Sequence, residues 1–151
     1  MNTIEVNEHL YTIKLNLTGM TEYGVDFGEL TSGTIPPPPE GARFDAAFEG
    51  RASGPRLNGT VAGVDYLRVR GDGRMELHIH ETISTTDGLN IDAQGDGVGI
   101  PRPEGGILDI RVNMTLFTSS EEYKWVNLLP VWGAGVVNLV EGTVEVTCYS
   151  A

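Results

Sequence analysis

The sequence predicts an all-β fold, a single closed, up-and-down antiparallel barrel of about 8–10 strands. Three observations carry this expectation. Apolar and polar residues alternate over most of the chain, as in Ile107–Leu116, where Leu108, Ile110, Val112, Met114 and Leu116 share one face. Glycine is abundant, at 20 of 151 residues, and punctuates the alternating runs. No convincing amphipathic helix is present, and the one candidate is a single turn around Thr118–Tyr123, where Ser119 could cap Glu122.

The elements follow in order. Leu10–Leu17 alternates Leu10, Thr12, Lys14 and Asn16 against Tyr11, Ile13, Leu15 and Leu17. A loop then leads to the Pro-rich stretch 31–41, whose Pro36–Pro39 favours a stiff polyproline II connection. Strands are expected at Ala42–Ala52, Leu57–Ala62, Asp65–Arg70, Arg74–Thr85, Leu89–Gln94, Ile107–Thr118, Tyr123–Val131 and Val136–Tyr149. Their connectors carry glycine: Gly71-Asp72-Gly73, Asp87-Gly88, Gly95–Gly106 and Gly133–Gly135. Residues 64–91 read as three consecutive antiparallel strands. Sequential hairpins favour an up-and-down barrel, calycin- or lipocalin-like in outline, which also removes exposed strand edges. Residues 1–151 are read as one domain of this kind.

Charge and composition exclude several functions. The net charge of −11 opposes phosphate backbones and anionic membrane surfaces, so neither nucleic acid nor a membrane is an expected partner. No apolar run approaches the roughly 20 residues of a membrane helix. The start of the chain carries no signal-peptide pattern, and the lone Cys148 permits no internal disulfide, so a cytoplasmic location is expected. Cys148, near the end of an alternating strand, reads as a buried structural thiol. Gly95-Asp96-Gly97-Val98-Gly99 precedes no helix pattern, so it is not a dinucleotide fingerprint.

Periodicity does not decide which face lines the barrel. In Arg74–Ser84 one face holds Met75, Leu77, Ile79, Glu81 and Ile83, and the other Glu76, His78, His80 and Thr82. Either the apolar face is inside, or a polar lumen is wrapped by an apolar outer face that packs on another subunit.

Gly50-Arg51-Ala52-Ser53-Gly54-Pro55-Arg56-Leu57-Asn58-Gly59-Thr60-Val61 resembles the glycine-rich signature of domain-of-unknown-function family 3237. Asp65-Tyr66, Asp72-Gly73, Thr86-Asp87-Gly88-Leu89-Asn90-Ile91 and Tyr123-Lys124-Trp125-Val126-Asn127 follow in that family's order. These are small bacterial β-barrels. The resemblance implies a closed barrel, commonly oligomeric, with site residues at Asp65, Tyr66, Thr86, Asp87, Tyr123, Trp125 and Asn127. Tyr66 replaces the family's usual Trp, and His80 stands where Arg is frequent.

Several groups could carry chemistry, each beside a plainer role. His78 and His80 share a face, as a proton-transfer pair, as metal ligands, or as unremarkable exposed residues. A ligand-contacting pair is preferred over a metal site, and no metal or cofactor is expected. Asp65 and Asp87 are the favoured carboxylates for acid–base work, although both also suit turns. Tyr123 and Trp125 alternate, as a stacking wall or as core filling. Arg68 and Arg111, with Arg70, could take a carboxylate or enolate oxygen, or could be solvated strand charges.

The expected function is a cofactor-independent lyase, isomerase or cyclase acting on a largely apolar, oxygenated small molecule in the lumen. Asp65, His78, His80 and Asp87 would be catalytic, and Tyr66, Arg68, Arg111, Tyr123, Trp125 and Asn127 would bind substrate. The alternatives are a ligand carrier and a structural oligomer without a pocket. A homo-oligomer is the expected assembly.

Overall fold

A computed structural model describes Glu5 and residues 7–150. Eight strands run in sequence: β1 (Glu8–Glu22), β2 (Ala42–Ser53), β3 (Gly59–Val69), β4 (Met75–Thr85), β5 (Asn90–Pro101), β6 (Ile107–Phe117), β7 (Pro130–Asn138) and β8 (Thr143–Ser150). Each pairs antiparallel with the next, and β8 returns to β1 to close the barrel. The apolar alternation faces inward. Ile13 and Leu15 of β1 meet Phe44 and Phe48 of β2, Val61 and Leu67 of β3, and Leu77 and Ile83 of β4 in one core. Ile110, Val112 and Met114 of β6 face them with Val131, Val146 and Cys148. An eight-stranded barrel is just wide enough for its own side chains to fill.

A register shift between His9 and Tyr11 on β1 turns two successive residues inward, and Leu10 and Tyr11 are both 1% exposed. Short helices cover the two ends. Helix α1 (Phe27–Thr31) has Asp26 as its cap, accepting from the Glu29 amide at 2.8 Å, and buries Leu30. Phe27 meets Phe44 edge to face with ring centres 5.0 Å apart. At the other end a 3-10 helix (Glu121–Leu128) buries Val126, which joins the same core as Leu57.

Several expectations need correction. Tyr123–Val131 is not one strand: Glu121–Leu128 is 3-10 helix and β7 starts at Pro130. Its start is Ser120, whose side chain makes no capping bond, rather than Ser119. Most of the expected connector Gly95–Gly106 and all of Gly133–Gly135 are strand instead, since Gly95–Pro101 ends β5 and Gly133–Gly135 lies inside β7. A Cβ on Gly95 would strike the Asn113 carbonyl, and one on Gly133 would lie 2.6 Å from a Val112 methyl. Glycine there makes room for β6, which carries the larger side chains. Val136–Tyr149 is broken by a turn at Leu139–Gly142 between β7 and β8, whereas Leu57–Ala62 and Asp65–Arg70 merge in β3.

Candidate active site

The inward face of β3 runs Val61, Gly63, Asp65, Leu67, Val69, and that of β4 runs Met75, Leu77, Ile79, Glu81, Ile83. Each apolar row therefore contains one carboxyl. Gly63 pairs with Glu81 and Asp65 with Ile79, so the two carboxyls are diagonal neighbours, with backbones about 7–8 Å apart. Gly63 is required here, because a Cβ would lie 2.7 Å from Glu81 Cβ.

Both carboxyls line an internal cavity of about 90 Å³ whose other walls are almost entirely apolar. Leu17, Met20, Phe27 and Leu139, half-buried, form its α1 end, while Leu15, Leu77, Val112 and Cys148 form its depth. Burial pushes Glu81 up to about 7, and no hydrogen bond reaches its Oε2. Burial also pushes Asp65 up to about 6, opposed by the hydrogen bond its carboxylate accepts from the His78 amide at 3.0 Å. That bond is made where the β3–β4 pairing is interrupted, opposite Leu77 and His78. Tyr11 Oη is also buried without a partner, beside Cys148, whose thiol burial pushes up to about 12. Cys148 is thus a buried, protonated thiol.

The remaining site candidates do not face this cavity. His78 and His80 lie on the outer face of β4, both exposed. Asp96 is 2.6 Å from His78 Nδ1, the two Nε2 atoms are 3.2 Å apart, and Tyr66 meets His80 edge to face. Tyr66, Arg68, His78 and Arg111 line an open outer trough of about 1220 Å³ with Asp96, Asn113 and Trp132. Among the described residues no cluster of three or more His, Cys, Asp or Glu side chains could hold a metal ion.

A third group sits at the end covered by the 3-10 helix. Tyr123 donates to Asp87 at 3.1 Å, and hydrogen bonds, led by one from the Thr85 hydroxyl, hold the exposed Asp87 carboxyl below its usual range. Trp125 packs against the core under the Arg56 guanidinium, 3.9 Å from its ring centre. Asn127 bonds both backbone groups of Thr118, accepting from N at 2.9 Å and donating to O at 2.8 Å. The contacts of Trp125 and Asn127 fasten the helix to the barrel. Of the expected acid–base residues, the structure brings only Asp65 to the lumen. It adds Glu81, which the alternation had placed among apolar residues.

The model of the family "Protein of unknown function (DUF3237)" matches residues 8–151, and the chain belongs to that family. A β-barrel-like protein from Acinetobacter baumannii AYE superposes with a TM-score of 0.77 at 21% identity, covering 99% of this chain and 98% of the other. A protein of unknown function from Clostridium acetobutylicum ATCC 824 gives 0.78 at 23% identity, covering 99% of each chain. A structure described as an enzyme from Penicillium herquei gives 0.67 at 26% identity, covering 99% and 98%. Over 85 residues the chain is 36% identical to the hydroalkoxylation enzyme phnH of Penicillium herquei. That match spans 56% of this chain and 50% of the relative, so the chain covers about half the relative's length.

Proposed function

We propose that this member of the DUF3237 family is an acid–base enzyme of the cyclase kind. In this reading it adds a hydroxyl across a carbon–carbon double bond within one largely apolar substrate held in the lumen. One observation carries the reading: two carboxyls, both biased toward the neutral form, face a single apolar cavity. The relative named as a hydroalkoxylation enzyme supports the reaction class.

The chemistry needs only proton transfers. Glu81, pushed up to about 7, keeps a substantial fraction of its acid form at neutral pH. It delivers its proton to one alkene carbon. The substrate's own oxygen bonds to the other carbon, and the hydroxyl proton passes to Asp65. Solvent then restores Glu81 and deprotonates Asp65, so substrate and product have the same composition and no oxidant or reductant is consumed. Apolar walls favour the substrate over water and keep water from capturing the electron-poor carbon. Asp65 is suited to be the base because the His78 amide supports its ionised form.

The test is incubation of the protein with a panel of alkenyl alcohols and alkenyl phenols in heavy water. The expected product is a cyclic ether with one deuterium on carbon, absent with Glu81→Gln. Saturable binding without conversion of any member would instead favour a ligand carrier. Undiminished conversion by Glu81→Gln and by Asp65→Asn would refute the assignment of the lumen.

A further inference from the structure

We propose that the outer trough is a second ligand site, separate from the lumen, for a small flat aromatic carboxylate. Its Arg111 and Asn113 would bind the anion, and Trp132 would support the ring.

The chain carries 21 acidic and 10 basic residues, yet four of its arginines, Arg43, Arg68, Arg74 and Arg111, line this one trough. Their pairing is uneven. Arg43 is bound to Asp45 at 3.2 Å, and Arg74 lies 3.7 Å from Glu76. Among the described residues neither Arg68 nor Arg111 has a carboxylate partner within salt-bridge distance. Arg111 spends one N–H on the Ile110 carbonyl, at 2.9 Å, which fixes its guanidinium while leaving further donors. The two acids in the trough wall are already engaged, Glu76 by arginines and Asp96 by His78. An anion entering here therefore meets unpaired guanidinium groups, despite the negative charge of the whole protein.

Register supplies the rest. Asn113 pairs with Trp132, and Arg111 with Ala134, so on one outer wall Asn113 is opposite Trp132 and Arg111 is its diagonal neighbour. Trp132 is 37% exposed, which leaves part of its surface for a ligand. Tyr66 and Arg68 face them from β3. A planar guanidinium matches a carboxylate, and an indole takes a flat ring. Asp96, the β5 partner of Asn113, accepts from His78 Nδ1, which leaves His78 Nε2 toward His80. The walls thus select for negative charge and flatness, whereas the lumen selects for apolar bulk.

The experiment titrates wild-type protein with benzoate, para-hydroxybenzoate and the neutral benzyl alcohol, by calorimetry at two salt concentrations. The expected result is binding of the two acids, weakened by salt, with benzyl alcohol much weaker. Arg111→Gln should weaken benzoate about ten- to hundredfold, and Arg68→Gln less. Glu81→Gln should leave benzoate binding unchanged, which separates this site from the lumen whatever the fate of the cyclase reading. No benzoate binding to wild type, equal binding of benzyl alcohol, or indifference to Arg111→Gln would each overturn the proposal. So would sedimentation showing a dimer that Arg111→Gln dissociates, because a second copy would then fill the trough.

Discussion

Replacing Glu81 with Gln keeps the shape of the side chain and removes its titration. In the folded barrel Glu81 is pushed up to about 7, against an ordinary value of 4.5. The folded state therefore holds a proton there that the unfolded chain releases between those values. Stability from this group is present at low pH and is lost as pH rises through the folded value. Between pH 5 and pH 8 the loss amounts to about 2–3 kcal/mol. Against a total of about 5–15 kcal/mol for a domain, that is a large fraction. The amide of the Glu81→Gln variant stays neutral throughout, so the variant should resemble wild type near pH 5 and exceed it by about 2–3 kcal/mol at pH 8. Urea unfolding at the two pH values measures this directly, with unchanged slopes showing that the unfolded state is comparable. A wild-type and variant difference independent of pH would refute the buried, proton-holding state of Glu81. The same variant should lose turnover, giving a protein that is more stable in alkali and inactive.

Other expectations follow from the same geometry. Asp65→Asn can still accept from the His78 amide, so it should fold while kcat falls about 10²–10⁴-fold once a substrate is identified. With Asp65 near 6 and Glu81 near 7, kcat/KM of wild type should be bell-shaped around that interval, and a flat profile from pH 5 to 9 would contradict their roles. Gly63→Ala must push Glu81 aside and should lower stability by about 1–3 kcal/mol, read by thermal unfolding. Asn127→Ala leaves the Thr118 amide without its acceptor and should cost about 1–3 kcal/mol while preserving the pH dependence that Glu81 produces.

The barrel was legible because a strand half buried in a closed wall must alternate, and eight consecutive antiparallel strands repeat that rule. Its errors have local causes. Gly97 and Gly133 look like turn residues, yet they are strand-interior positions where atoms of the adjacent strands leave no room for a side chain. Tyr123-Lys124-Trp125 alternates as a strand would, but here the tyrosine and tryptophan belong to a 3-10 turn anchored by Asn127. For the site, the histidines drew attention because imidazoles titrate near neutrality, whereas the structure places them outside. Glu81 was visible as a single acid in the row Met75, Leu77, Ile79, Ile83, and that intrusion was the signal. Reading it required knowing which face was inside, which only closure of the sheet decides.

Closure also governs how the chain reaches its native state. The last seam joins Glu8–Asn16 to Thr143–Ser150, the first and the last strand of the barrel. During synthesis β1 leaves the ribosome before the other strands and waits, with one long margin unpaired, until β8 arrives. Such distant pairing is slow, and an unfinished margin invites association with other nascent chains. Substitutions that weaken this seam should therefore show first as poor soluble yield, before any loss in the midpoint of purified protein.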